Sequence, residues 1–134
     1  MKKIFNPIHD KSSEIIECIM SAPEMPSREE LLFKIRLSVE EVVENVVRYA
    51  YEKGLGWMEI AVDRAPETIL TIKLRDAGVP FNPLDKEDPD LTLSAEDRPI
   101  GGLGIFLCKQ LMDEVIYNYE DGCNVLVLKK EVGE

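Results

Sequence analysis

A chain of 134 residues with 45% hydrophobic and 31% charged residues has the length and composition of one soluble globular domain. Its net charge of −10 argues against nonspecific nucleic-acid binding, which depends on Lys and Arg contacts to phosphate. No apolar run approaches the ~20 residues of a membrane span, and the N-terminus has no apolar segment of signal-peptide length. We therefore expect a cytoplasmic protein that contacts neither nucleic acid nor a membrane directly.

The first half of the chain predicts a short edge strand over residues 3–7 and a helix over residues 12–21. Ser27, with Glu30 three residues later, predicts a capping box that opens a long helix. Helical spacing of apolar residues continues to about Lys53, where a Gly-x-Gly segment stops the helix. Its apolar stripe consists of Leu32, Ile35, Val39, Val42, Val46 and Ala50.

Residues 57–63 and 68–75 alternate apolar and polar side chains, and the turn between them predicts a β-hairpin. Residues 76–100 hold four prolines and many acids, and we interpret residues 82–100 of this stretch as a lid. A helix over residues 104–114 comes next, and residues 115–119 and 124–130 predict a second hairpin. The apolar anchors expected for that helix are Ile105, Leu107, Leu111 and Met112.

This order of elements predicts a single α+β domain over residues 1–134. We expect a two-layer sandwich in which a mixed, mainly antiparallel sheet is covered by helices on one face. The regular βαβ alternation and the early Gly-x-Gly-x-x-Gly segment of a Rossmann fold are absent from the sequence.

The three cysteines, Cys18, Cys108 and Cys123, are odd in number and widely spaced, which predicts reduced, partly buried thiols without a zinc site or a disulfide framework. His9 is the only histidine and lies beside a proline turn near the N-terminus. A histidine-based nucleophile or proton relay is therefore not expected.

Glu41 and Asn45 are four residues apart and project from adjacent turns of the long helix. An amide oxygen is a suitable ligand for Mg²⁺, and a carboxylate one turn away could accept a proton from an attacking hydroxyl. The alternative is that both belong to a solvated polar face, because Glu40, Glu44 and Glu52 lie on the same helix.

Asp76 follows the second predicted strand, where a carboxylate could accept a hydrogen bond from the exocyclic amine of adenine. Gly78 would let the backbone approach the base closely. An ordinary Asp-x-Gly turn is the alternative interpretation of this pair.

Gly101, Gly102 and Gly104 precede a helix, and the exposed N–H groups of a helix N-terminus suit phosphate. The alternative is a flexible linker. Arg98 and Lys86 lie in the preceding segment and Lys109 on the helix, and each could contact phosphate or remain on the solvated surface.

Taken together, these segments resemble the ATP-binding domain of the GHKL superfamily, and most of all the single-domain anti-sigma factor serine/threonine-protein kinases of bacterial partner-switching systems. Residues 41–45 (EVVEN) look like the N box, residues 75–80 (RDAGVP) like the first glycine box, and residues 98–105 (RPIGGLGI) like the second, together with residues 111–115 (LMDEV). Residues 122–126 (GCNVL) resemble the last hairpin. The resemblance covers about residues 28–130.

The resemblance implies ATP and Mg²⁺ as cofactors. It assigns Glu41 as general base, Asn45 as the Mg²⁺ ligand and Asp76 as the adenine anchor. Gly78 belongs to the first glycine box. The second box, which includes Arg98, Gly101, Gly102, Leu103 and Gly104, would form the lid hinge and the phosphate cradle.

The implied activity is phosphorylation of a serine or threonine on a small anti-sigma-antagonist (STAS-like) protein, together with binding of a sigma factor and formation of a homodimer. Two other hypotheses remain open. One is a binding module that uses ATP only to shape its partner surface. The other is a histidine kinase catalytic domain, which is weakened by the lack of room for a dimerisation helix pair.

The sequence departs from the family pattern at two positions. Tyr49 stands where relatives often carry His. Gly122-Cys123 stands where a Gly-Thr pair is often found in the last hairpin, so a hydroxyl that would help hold adenine is missing.

Overall fold

The computed structural model describes residues 1–85 and 103–133. Its strands and helices, in chain order, are β1 (Lys2–Phe5), α1 (Ser12–Met20), α2 (Glu29–Tyr49), β2 (Met58–Arg64), β3 (Ile69–Asp76), α3 (Leu103–Leu111), β4 (Glu114–Glu120) and β5 (Cys123–Glu131). Two short 3₁₀ turns, Glu52–Gly54 and Pro83–Asp85, lie between them.

The five strands found in these residues form one sheet in the order β1-β2-β3-β5-β4, and each neighbouring pair is antiparallel. Both predicted hairpins are present, as β2–β3 and β4–β5. The two hairpins join where β3 pairs with β5, a contact that places Asp76 opposite Asn124. The predicted α+β sandwich is therefore confirmed.

One face of the sheet is buried and the other is not, as the alternation of side chains predicts. On β3, Leu70, Ile72 and Leu74 are buried, while the intervening side chains are partly or fully exposed. The buried row continues onto the neighbouring strands and packs against the helices in a single core. The residues of that core with almost no exposure include Ile8, Ile15, Ile19, Ile35, Val39, Val42, Met58, Ile60 and Leu128.

Helix α2 differs from its predicted bounds at both ends. The N-cap is Arg28, whose backbone is extended and whose side chain makes no capping hydrogen bond, so the helix begins one residue later than the predicted N-cap at Ser27 implies. The helix ends at Tyr49, before the expected Lys53. The physical reason is Tyr51, whose backbone is extended. Its hydroxyl donates to the Trp57 carbonyl (2.6 Å) and accepts from the Ala77 amide (2.8 Å), which ties the chain to the start of β2 and the end of β3.

Helix α3 buries a different set of residues from the one predicted. Leu107 is 41% exposed, and Cys108 is fully buried in its place. The Cys108 thiol lies 3.5 Å from the Ser38 carbonyl of α2, and burial raises its pKa to about 11.

All three cysteines are free thiols, as expected. Among the described residues, no helix combines the length and apolar character of a membrane span.

Candidate functional site

A cavity lies between α2 and the strand ends at which β3 and β5 meet. It contains about 440 Å³ of empty space, including the part open to solvent. Most of its wall is aliphatic or aromatic, and three polar side chains, Asn45, Asp76 and Asn124, converge on it. The remaining lining residues are Val42, Val46, Tyr49, Ala50, Leu74, Val79, Phe81, Pro83, Tyr117 and Leu126.

Asp76 is the last residue of β3, and only 4% of its surface is exposed. Its Oδ1 accepts hydrogen bonds from the Gly78 amide (2.9 Å) and from Asn124 Nδ2 (3.0 Å). Its Oδ2 receives no hydrogen bond from the residues that the structure describes. Burial raises the pKa of this carboxyl above its usual value, and the two hydrogen bonds oppose that shift. The arrangement leaves Oδ2 as an acceptor for a donor in the cavity.

Asn124 is a polar residue of this cavity to which the sequence analysis assigned no role. It is 7% exposed and lies on β5 directly opposite Asp76. Its amide nitrogen donates to Asp76 and to the Val79 carbonyl (2.9 Å), and its oxygen accepts from the Phe81 amide (3.1 Å) and from the Tyr117 hydroxyl. The only signal in the sequence was its position two residues after the hairpin glycine.

Asn45 and Glu41 differ from the other acidic and amide residues of α2 in their surroundings. Asn45 lines the cavity, and the half-buried Glu41 packs against Gly104 in the first turn of α3. By contrast, Glu40 and Glu44 form ion pairs with Arg36 and Arg48 on the surface. The solvated-face interpretation therefore describes Glu40 and Glu44 but not Asn45 or Glu41.

Gly104 lies directly against the Glu41 side chain. A Cβ placed on it would overlap the Glu41 carboxylate, so any larger residue would displace one of the two groups. The structure thus brings Glu41 to the start of α3.

Gly78 has a packing contact that the sequence analysis did not anticipate. Its Cα packs on the end of α2, where a Cβ would overlap the Ala50 carbonyl, and the next amide, that of Val79, donates to the same carbonyl (2.9 Å). Its own amide closes a turn onto Asp76. The ordinary Asp-x-Gly turn is therefore present, and it is what orients the Asp76 carboxylate.

The two departures from the family pattern lie at different places relative to the cavity. Tyr49 is at its rim, half-exposed, with its ring centroid 6.0 Å from that of Phe81. Cys123 is not among the lining residues and contacts Arg75, with 3.5 Å between Sγ and Nη1. The side chain that faces Asp76 from β5 belongs to Asn124, so the thiol does not take the place of a hydroxyl in the cavity.

Several predicted site residues lie outside the described residues: Lys86, Arg98, Gly101, Gly102 and most of the lid. Leu103 begins α3. The first residues of the predicted lid are described, and they form the 3₁₀ turn Pro83–Asp85, in which Asn82 Oδ1 accepts from the Leu84 amide (2.9 Å).

The five-stranded sheet with helices on one face defines the class of protein, an α+β sandwich of the GHKL type. The chain belongs to the histidine kinase-like ATPase domain family, whose profile matches residues 13–130.

Curated relatives with similar sequences include the serine-protein kinases RsbW of Bacillus cereus (strain AH820) and Bacillus mycoides (strain KBAB4). Each is 32% identical over 99 residues, which is 71% of this chain and 61% of the relative. This chain thus covers about three fifths of the length of these relatives.

Solved structures with the same fold include the histidine kinase AdeS of Acinetobacter baumannii, with a TM-score of 0.55 and 13% identity over 100% of this chain and 68% of that one. The catalytic domain of the histidine kinase ThkA matches with a TM-score of 0.54 and 15% identity over 98% and 96% of the two chains. At these identities the likeness concerns the fold.

Proposed function

We propose that this chain binds ATP with Mg²⁺ in the cavity between α2 and the β3–β5 strand ends, and that it is a protein serine/threonine kinase. The observation that carries the proposal is the buried Asp76 carboxylate, with Oδ1 occupied by two protein donors and Oδ2 available to the cavity. A buried charge is costly unless it serves a partner, which makes a bound donor the natural complement of this oxygen.

The cavity wall fits an adenine ring. Val46, Ala50 and Leu74 supply aliphatic surface for the faces of a flat base, and Asp76 supplies an acceptor for its exocyclic amine. Guanine carries a carbonyl oxygen at the same position, which would face the carboxylate unfavourably. This chemistry supports adenine over guanine nucleotides.

The phosphate end of the nucleotide would lie towards Asn45 and the first turn of α3. Asn45 would hold Mg²⁺ through its amide oxygen, and the bound ion would neutralise phosphate charge. Glu41, beside Gly104, would accept the proton of the attacking hydroxyl, and the amides at the start of α3 would contact phosphate.

The acceptor we propose is a serine or threonine of an anti-sigma-antagonist protein, with a sigma factor as a second partner, a homodimer as the working form and the cytoplasm as the location. The support is the similarity to relatives that are named serine-protein kinases, together with membership of the ATPase domain family.

Two measurements test the proposal. A thermal shift series with Mg·ATP, Mg·ADP and Mg·GTP should show stabilisation by the adenine nucleotides alone, by about 2.7 kcal/mol at a hundredfold excess over Kd. Incubation with Mg·ATP and a candidate antagonist protein should then yield phosphoserine or phosphothreonine. Nucleotide-dependent complex formation without phosphotransfer would instead identify a non-catalytic binding module, and no response to any nucleotide would refute the site.

A further inference from the structure

The amide of Asn124 is fully engaged by protein groups. Its oxygen accepts from the Phe81 amide (3.1 Å) and the Tyr117 hydroxyl. Its nitrogen donates to Asp76 Oδ1 (3.0 Å) and the Val79 carbonyl (2.9 Å), and the Gly78 carbonyl is a third, more distant acceptor at 3.5 Å. These partners occupy the two acceptor and the two donor positions of a carboxamide. Asn124 therefore has no free hydrogen-bonding position for a ligand, although it lines the cavity.

These partners also determine which way the amide points. The Phe81 backbone N–H can only donate, and the Val79 carbonyl can only accept. Rotating the amide by half a turn would set donor against donor and acceptor against acceptor in a buried site, which is costly. The Asn124 side chain is thus a rigid link between β5, the end of β3 and residues 79–81.

The fixed Asn124 amide determines the orientation of the Asp76 carboxylate. With Oδ1 held by Asn124 and Gly78, the plane of the carboxylate is set, and Oδ2 is the oxygen that remains for a ligand. Resting on the proposed function, we infer that Asn124 is a positioning residue: it fixes the Asp76 carboxylate and residues 79–81 so that the site selects a purine by its exocyclic amine. Asn124 itself does not touch the base.

Comparing two nucleotides tests this inference, because hypoxanthine lacks the exocyclic amine that Asp76 would bind. Calorimetry should give the Kd of Mg·ADP and Mg·IDP for the parent, Asn124→Ser and Asn118→Ser. The control, Asn118, is an exposed asparagine of the same hairpin, on β4. We expect Asn124→Ser to lower the affinity for ADP by about tenfold or more and the affinity for IDP much less. The ratio of the two affinities, which favours ADP in the parent, should therefore decrease. The control should retain the parent preference.

An equal loss of ADP and IDP affinity in Asn124→Ser would overturn the inference, since that is the signature of general loosening of the cavity. If the parent prefers ADP and the variant has the same ratio of ADP to IDP affinity, the inference about Asn124 is wrong but the proposed function stands. A parent that binds neither nucleotide would refute the proposed function itself.

Asn124→Asp keeps the shape of the side chain and provides a second test of the inference if the Asn124→Ser variant fails to fold. Two carboxyls about 3 Å apart share a proton, and the protonated Asp at position 124 can donate to Asp76 as the amide does. Relative to the parent profile, ADP affinity should therefore fall as the pH rises and the shared proton is lost. Among the described residues, the titratable groups facing this position are Asp76 on β3 and Tyr117 on β4, and burial raises the pKa of Tyr117. A profile parallel to that of the parent would contradict the inference.

Discussion

Replacing Asp76 by Asn should separate nucleotide binding from folding. The asparagine oxygen can still accept from the Gly78 amide and from Asn124 Nδ2, so the internal hydrogen bonds survive. The other carboxylate oxygen becomes an NH₂ group. That group would face the exocyclic amine of adenine with donor against donor.

The size of the effect on binding follows from the bond that is lost. A hydrogen bond to a charged group contributes about 1.5–3 kcal/mol, and leaving the ligand amine without an acceptor adds to that loss. A total of about 2–4 kcal/mol corresponds to a decrease in ADP affinity of about thirty- to a thousandfold. Calorimetric titration with Mg·ADP measures this directly.

Although Asp76→Asn should weaken ADP binding, it should raise the free energy of unfolding at neutral pH. Burial raises the pKa of Asp76, so the folded protein binds this proton more tightly than the unfolded chain does. The contribution of Asp76 to stability is therefore fully present below its unfolded pKa and is lost as pH rises through its folded pKa. Asn removes the buried charge, so the variant should gain stability relative to the parent at pH 7 and less at about pH 4. Urea unfolding at the two pH values tests this sign.

Asp121→Asn is the matched control. Asp121 is exposed in the β4–β5 turn with a positive φ of 54°, a conformation that asparagine also adopts readily, and the variant loses the same formal charge. It should bind ADP as the parent does. If Asp76→Asn bound Mg·ADP as tightly as this control, the assignment of Asp76 as the adenine acceptor would be wrong.

Three other changes probe different parts of the molecule. Glu41→Ala should retain ADP affinity and lose about 10²–10⁴-fold in phosphotransfer, whereas Asn45→Ala should weaken the binding that depends on Mg²⁺; turnover at the parent rate in the Glu41 variant would exclude it as the base. Gly104→Ala should displace the Glu41 carboxylate and lower the phosphotransfer rate more than ADP affinity, and an unchanged rate would contradict the contact. Ile72→Ala, at a fully buried position of the central strand, should cost about 2–5 kcal/mol in urea unfolding, against less than about 1 kcal/mol for Leu107→Ala on the exposed side of α3; similar losses at both positions would contradict this burial pattern.

The local periodicity of the sequence determined much of the fold. The alternation on β3 set Ile72 towards the core, and the helical spacing on α2 placed Val39 and Val42 there. Both are short-range patterns that depend only on the geometry of a strand or a helix. The same geometry put Glu41 and Asn45 on adjacent turns, so this part of the candidate site could be predicted before the tertiary structure was known.

Other features depended on contacts between distant residues. The end of α2 was set by Tyr51, whose hydroxyl accepts a hydrogen bond from the Ala77 amide at the end of β3. The helix propensity of the residues that follow Tyr49 did not set it. On α3, a short apolar helix, local pattern could not decide between Leu107 and Cys108, and packing against Ser38 of α2 buried the cysteine.

Asn124 shows the difference most clearly. Its role arises because β3 pairs with β5 in one particular register, which brings it to Asp76 across 48 residues of sequence. A shift of one residue would have turned its side chain to the other face of the sheet, because successive side chains on a strand point in opposite directions. Short-range patterns identify the residues of the strands, whereas the pairing of the two hairpins selects the amide that holds the Asp76 carboxylate.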